Sequence, residues 1–186
     1  MRPIILASAS PRRRELLGLL GFEFEAVATG VDELSDGDPA EIVVENALRK
    51  ARAAAGHADA AAAVLGVDTD VVLSGALLGK PEDEDEARER IEALAGRTHE
   101  VLGGLALIDG ERVRTELVRT LVTFRDLTAD EIHAYVRSGE WRDRAGGYAV
   151  QGLGSSLIAA VDGDLSNVIG LPIPALSRMI GELQNP

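Results

Sequence analysis

Apolar positions follow two different periods along this chain, and the switches between them outline the fold. Positions 3–7 form an apolar run of strand length, and a small polar turn separates it from a helical pattern at 11–20. Pro11 stands at the first helical position and Gly21 just past the last, the common asymmetry of helix ends. Positions 22–28 alternate apolar and acidic residues, which predicts a half-exposed strand, so the chain opens as β-α-β. A polar loop at 30–38 then leads to an alanine-rich helix running from Pro39 through Lys50 to Ala55.

Positions 63–67 predict a short strand ending in Asp68, Thr69 and Asp70, and 71–78 a hairpin around Ser74 and Gly75. Pro81 opens an acidic helix at 82–94, closed by Gly96. Between Thr98 and Phe124 two long apolar segments flank Asp109 and Gly110, a pair that favours a tight hairpin turn. Thr128 and Glu131 form a capping box, so a helix is expected to reach Arg137. Strands are predicted at 147–150 and 156–161, and a last helix after Pro172. The sum is a single α/β domain, residues 1–186, with a mixed central sheet and a cleft.

Composition narrows what such a domain would bind. With 186 residues of which 46% are hydrophobic, the chain is long enough for one core. A formal net charge of −12 and 3% aromatic residues oppose a nucleic-acid polymer, which needs distributed cations and stacking surfaces. The same features oppose a phosphopeptide- or RNA-binding module. The absence of cysteine removes thiolate chemistry, and three scattered histidines do not make a zinc site, so a metal here would be a hard, oxygen-bound cation. No signal peptide and no bilayer-length apolar run is visible, which predicts a cytoplasmic protein without membrane contact.

Against this acidity, one short segment is strongly basic. Ser8-Ala9-Ser10-Pro11-Arg12-Arg13-Arg14 puts three arginines in the first turn of a helix, where the dipole disfavours positive charge. A phosphate reverses that cost, because backbone N–H groups and guanidinium forks would then converge on an anion. Three further segments place polar groups at turns or strand ends. Asp68, in Gly66-Val67-Asp68-Thr69, is suited to hold magnesium or to act as a general base, or else simply to cap a turn. Lys80, in Gly79-Lys80-Pro81, is a point charge in a rigid turn. Gln151, after a glycine-rich run from Gly146, can donate and accept together and so read a base edge. Asp32 and Glu33 sit in the loop before the long helix, Lys50 sits in that helix with a surface role as its default, and His99 reads as structural because no nucleophile accompanies it.

Taken in order, these segments resemble the Maf family of nucleoside triphosphate pyrophosphatases. The likeness rests on the serine-proline-arginine turn, Gly66 to Thr69, Gly79 to Pro81, His99 with Val101, Phe124 to Thr128, the run from Asp143 to Gly152, and Asn167 to Pro172. Arg144, Gly103 and Leu165 depart from residues common in the family. The resemblance implies a fold similar to inosine triphosphate pyrophosphatases, a homodimer, and hydrolysis of a nucleoside triphosphate to monophosphate and pyrophosphate. It implies a divalent cation as cofactor, Mg2+ with Mn2+ or Co2+ as alternatives, held by Glu33 and Asp68. Asp68 would accept the proton, while Ser8, Ser10, Arg12, Arg13, Glu33, Lys50, Thr69, Lys80 and Gln151 would line the substrate site.

Arg12, Thr69 and Gln151 further resemble the branch acting on dTTP and UTP, with modified pyrimidine nucleotides as further substrates. A branch acting on 7-methyl-GTP commonly carries Trp at the position of Arg12. The alternatives are therefore a 7-methyl-GTP pyrophosphatase and a nucleotide-binding regulator of cell division or septum formation. Spacing alone does not choose which of Arg12, Arg13 and Arg14 faces phosphate.

Overall fold

In a computed structural model, which describes residues 3–56 and 62–184, the chain forms one mixed sheet with helices on both faces. It opens as Ile4–Ala7 (β1), Pro11–Leu19 (α1), Phe24–Ala26 (β2), Pro39–Ala55 (α2) and Ala63–Leu73 (β3). Ala76–Leu77 (β4), Glu84–Leu94 (α3), Thr98–Asp109 (β5), Arg112–Phe124 (β6) and Ala129–Ser138 (α4) follow, and Ile158–Asp162 (β7), Leu165–Ile169 (α5) and Ile173–Gln184 (α6) close it. The strand order is β2-β1-β3-β5-β6-β7, with β4 paired to β3. Among the described residues only the β1 pairings with β2 and β3 are parallel.

The pleat of β3 distributes its side chains between two helical layers. Leu65 and Val67 pack with Leu16 and Leu17 of α1 and Leu176 and Met179 of α6. Val64, on the other face, packs with Ala47, Ala51 and Ala54 of α2. That second layer is unusually close because its contact residues are small. A Cβ at Gly66 would lie 2.0 Å from the Ala47 carbonyl oxygen, and one at Gly104 would lie 2.2 Å from the Val43 carbonyl oxygen. The backbone of α2 therefore rests directly on β3 and β5, which brings its polar residues Asn46 and Lys50 over the sheet.

A second cluster joins α3 and α4 to the far end of β3 and to β5 and β6, around Ile91, Leu94, Phe124, Tyr135, Trp141 and Tyr148. The capping box at Thr128 and Glu131 is present, and Gly139 ends α4 at φ 71°. The β5–β6 hairpin turns at Gly110, between the paired residues Asp109 and Arg112.

Two expectations are corrected. The strand expected at 63–67 does not stop at Val67: β3 continues to Leu73, because Asp68, Thr69 and Asp70 pair with Gly104, Gly103 and Leu102 of β5. Positions 147–150 are not a strand either. Ala145–Gly147 is a 3-10 turn with left-handed Gly146 and Gly147 at φ 66° and 75°, and the Gly146 amide donates to the Gly79 carbonyl at 2.7 Å. Smaller differences lie at the ends: β2 is limited to 24–26, α3 begins two residues after Glu82 behind an Asp83 cap, and β7 starts at Ile158.

Candidate active site

β1 ends where Ala7 pairs with Gly66, but β3 runs on, so Asp68 lies just beyond the last parallel neighbour. Beyond that edge a cleft of about 900 Å3 opens. The carboxylate expected at a strand end thus stands at the end of its neighbour rather than of its own strand. Successive side chains of β3 face opposite ways here. Asp68 turns to α2 and Thr69 turns to α1.

On the α2 side, Lys50 Nζ donates to Asp68 Oδ1 at 2.7 Å and pairs with Glu33 Oε1 at 2.6 Å. Lys50 and Asp68 are 8% and 7% exposed, so the surface role expected for Lys50 is wrong. The close seating of α2 on Gly66 and Gly104 buries it. One turn earlier, Asn46 fixes the loop above by exchanging hydrogen bonds with Leu34, accepting from its N–H at 2.8 Å and donating to its C=O at 3.0 Å. Its amide also lies 3.4 Å from Asp68 Oδ2. A buried carboxylate is tolerated only when paired and hydrogen-bonded, and Asp68 is both.

On the α1 side, Arg13 is the arginine that enters the cleft wall. Its Nε donates to the Gly170 carbonyl at 2.9 Å, Nη1 to Ser8 Oγ at 3.1 Å and Nη2 to Thr69 Oγ1 at 3.1 Å. Ser8 Oγ also accepts from the Ser10 amide at 3.2 Å, locking the turn that starts α1. No acidic residue stands in the first turn of α1, and burial lowers the Arg13 pKa despite the opposing charges of Asp68 and Glu33. Burial, with Arg144 and Arg13 nearby, lowers that of Arg12 as well. A concentration of guanidinium groups whose charged forms are disfavoured is what an incoming anion relieves. Arg14 instead donates to the Ala9 carbonyl at the surface.

The opposite wall is made of turns. Lys80 and Gln151 are exposed and line the cleft without a side-chain hydrogen bond or ion pair among the described residues. Arg12 reaches across to the Asp143 carbonyl at 3.3 Å. Beneath them Tyr148 lines the cleft and shares a 2.8 Å hydrogen bond with His99 Nε2, whose pKa burial lowers to about 4. His99 is thus a neutral support, as its sequence context suggests.

All ten expected substrate-site residues, from Ser8 to Gln151, line this one cleft. Two further residues were missed. Asn46 carries the signal of an amide mid-helix, four residues before Lys50 and therefore on its face. Asp70 is two residues after Asp68 on a strand and so shares its face; burial foremost, and then the Asp68 charge, raise its pKa to about 6 against the pull of two backbone N–H groups and Arg90. The departure at Gly103 has a local reason, since a Cβ there would lie 1.9 Å from Asn167 Oδ1.

The Maf-like protein family model matches residues 3–183. The chain belongs to this family. Among its Maf-like relatives, a dTTP/UTP pyrophosphatase of Bacillus cereus strain AH820 is 46% identical over 186 residues, covering 99% of this chain and 95% of the relative. Another from Bacillus cereus strain B4264 is 47% identical over 180 residues, covering 96% and 94%. Solved structures share the fold at low identity. A Mycobacterium abscessus nucleoside-triphosphatase / dITP/XTP pyrophosphatase superposes with a TM-score of 0.53 at 19% identity, covering 99% of this chain and all of that one. The Ham1 protein of Staphylococcus aureus gives 0.55 at 15% identity, covering 97% and 99%.

Proposed function

We propose that this Maf-like protein hydrolyses dTTP and UTP to the monophosphate and pyrophosphate. The observation that carries the reading is the meeting, at one point of β3, of the buried Lys50–Asp68 salt bridge on one face and an arginine held at three points on the other. Cleaving a phosphoanhydride requires neutralising triphosphate charge, positioning a water and taking its proton. Arg13, Ser8 and the N–H groups that start α1 bind phosphate, with Arg12 of the same helix reaching across the cleft and Lys80 closing on it from the other wall. Asp68 accepts the proton of the attacking water while the hydrogen bond from Lys50 Nζ orients it. A new P–O bond to water forms, the bond between α- and β-phosphates breaks, and pyrophosphate leaves.

A divalent cation belongs to the proposal, with Glu33 and Asp68 as its protein ligands. Both carboxylates already converge on one cationic atom, Lys50 Nζ. Among the described residues no group of three or more His, Cys, Asp or Glu side chains gathers to hold a metal. Those two oxygen donors fit a hard cation such as Mg2+ entering with the triphosphate, and Glu33 and Asp68 would hold it there. When bound it would neutralise phosphate charge.

The base is read between the two walls, with Gln151 on the second and Arg12 and Thr69 on the first setting the pyrimidine preference. A homodimer in the cytoplasm completes the reading; among the described residues no helix is long and apolar enough to cross a membrane. Purified protein incubated with Mg2+ and a panel of canonical and modified triphosphates should give monophosphate and pyrophosphate in equal amounts, fastest from dTTP and UTP. Orthophosphate release would overturn the bond assignment, and preference for 7-methyl-GTP would overturn the substrate assignment.

A further inference from the structure

The turn that carries Lys80 is fixed by a side chain on the first wall. Asp70 Oδ1 accepts two hydrogen bonds, from the Val71 amide at 2.7 Å and from the Gly79 amide at 3.1 Å. Gly79 has the left-handed φ of 56°, so its N–H depends on this orientation of the turn. Its carbonyl in turn accepts from the Gly146 amide at 2.7 Å. Pro81, on the far side of Lys80, is buried, and a Cβ at Gly147 would lie 3.4 Å from its Cγ. Lys80 is thus anchored by both neighbours while its own side chain is exposed to the cleft. The link continues to the next turn, where the Asp143 carbonyl accepts from Arg12.

We propose that Asp70 is a positioning residue: by accepting from the Gly79 amide it fixes the turn that presents Lys80 to the triphosphate, and so couples the second wall to β3. The inference rests on the pyrophosphatase reading of the cleft. It gives Asp70 a task that needs an acceptor oxygen and no negative charge, unlike a metal ligand or a proton acceptor beside Asp68. Asparagine supplies the same oxygen, and alanine does not.

The test compares D70A, D70N, K80A and the D70A/K80A double variant of the full chain, measuring kcat and KM for dTTP together with hydrogen exchange at the Gly79 amide. D70A should raise KM about tenfold with kcat within about twofold, as loss of one anchoring hydrogen bond implies, and the Gly79 amide should lose protection. D70N should restore both, and the double variant should be no worse than K80A. D70N as impaired as D70A would assign the carboxylate's charge to metal or proton chemistry and overturn the proposal. So would a D70A enzyme with unchanged KM, or additive effects in the double variant. Failure of the wild-type protein to hydrolyse dTTP would sink the functional reading alone. The Gly79 amide still decides the inference then, because unchanged protection in D70A would show that Asp70 does not hold the turn.

Discussion

Along the wall formed by β3, α1 and α2, the groups assigned to chemistry are tied down. Arg13 spends three donors on Gly170, Ser8 and Thr69, and Lys50 bridges Glu33 and Asp68. Across the cleft, Lys80 and Gln151 stand exposed on turns shaped by left-handed Gly79, Gly146, Gly147 and Gly152. The contrast separates two demands on an enzyme. Groups that act on the reacting phosphates must be pre-organised before substrate arrives, which buried ion pairs and fixed hydrogen bonds achieve. Gln151, proposed to read the base, is set on a turn, which can vary without disturbing the sheet.

The comparison predicts unequal damage. Replacing Lys50 by Met leaves Asp68 a buried charge without its partner, so unfolding should become easier by about 3–5 kcal/mol, and turnover should be lost as well. Urea unfolding of K50M checks this; wild-type stability would mean that Asp68 is solvated or protonated, and the first wall is not ionic. The second wall should instead weaken on acidification, through His99 beneath Tyr148. Burial holds the His99 pKa at about 4 in the fold, against the ordinary histidine value of 6.5, so the unfolded chain binds the proton first. Stability from the neutral ring is therefore complete above pH 6.5 and lost as pH falls towards 4, by roughly 3 kcal/mol in all. An H99Q variant should flatten that part of the stability profile. An unchanged slope would place the acid sensitivity elsewhere.

How far this division was visible beforehand differs between the walls. The β-α-β start, the hairpin at Gly110 and the Thr128 capping box follow local rules, and they are present. The burial of Lys50 does not follow from α2 itself, whose sequence gives only a helix with a lysine in it. It follows from Gly66 and Gly104 on two other strands, a non-local fact. The continuation of β3 through Asp68, Thr69 and Asp70 was hidden for the same reason, since polar residues end an apolar pattern while pairing with β5 extends the strand. Positions 147–150 looked like a strand by their apolar residues, but Gly146 and Gly147 turn the chain onto Gly79 and Pro81.

The smallest expected effect sharpens the contrast most. Q151A should leave stability within about 0.5 kcal/mol of wild type, since the residue is exposed and its side chain makes no hydrogen bond among the described residues. It should reduce the preference for dTTP over purine triphosphates about tenfold in kcat/KM, the scale of one hydrogen bond to a base. Competition between dTTP and dGTP in one reaction reads this ratio directly. A fall in turnover equal for all triphosphates would instead place Gln151 with the chemistry of the first wall.

The role proposed for Asp68, held by Lys50 just beyond the end of β1, is to take the proton of the attacking water. Asp68→Asn keeps the shape and one acceptor oxygen while removing the base and one of the two acceptors that Lys50 and Asn46 share. Pyrophosphate release from dTTP by D68N, compared with wild type at equal folded concentration, should fall roughly a thousandfold. Release at a near-normal rate would contradict the account and assign the proton to another group.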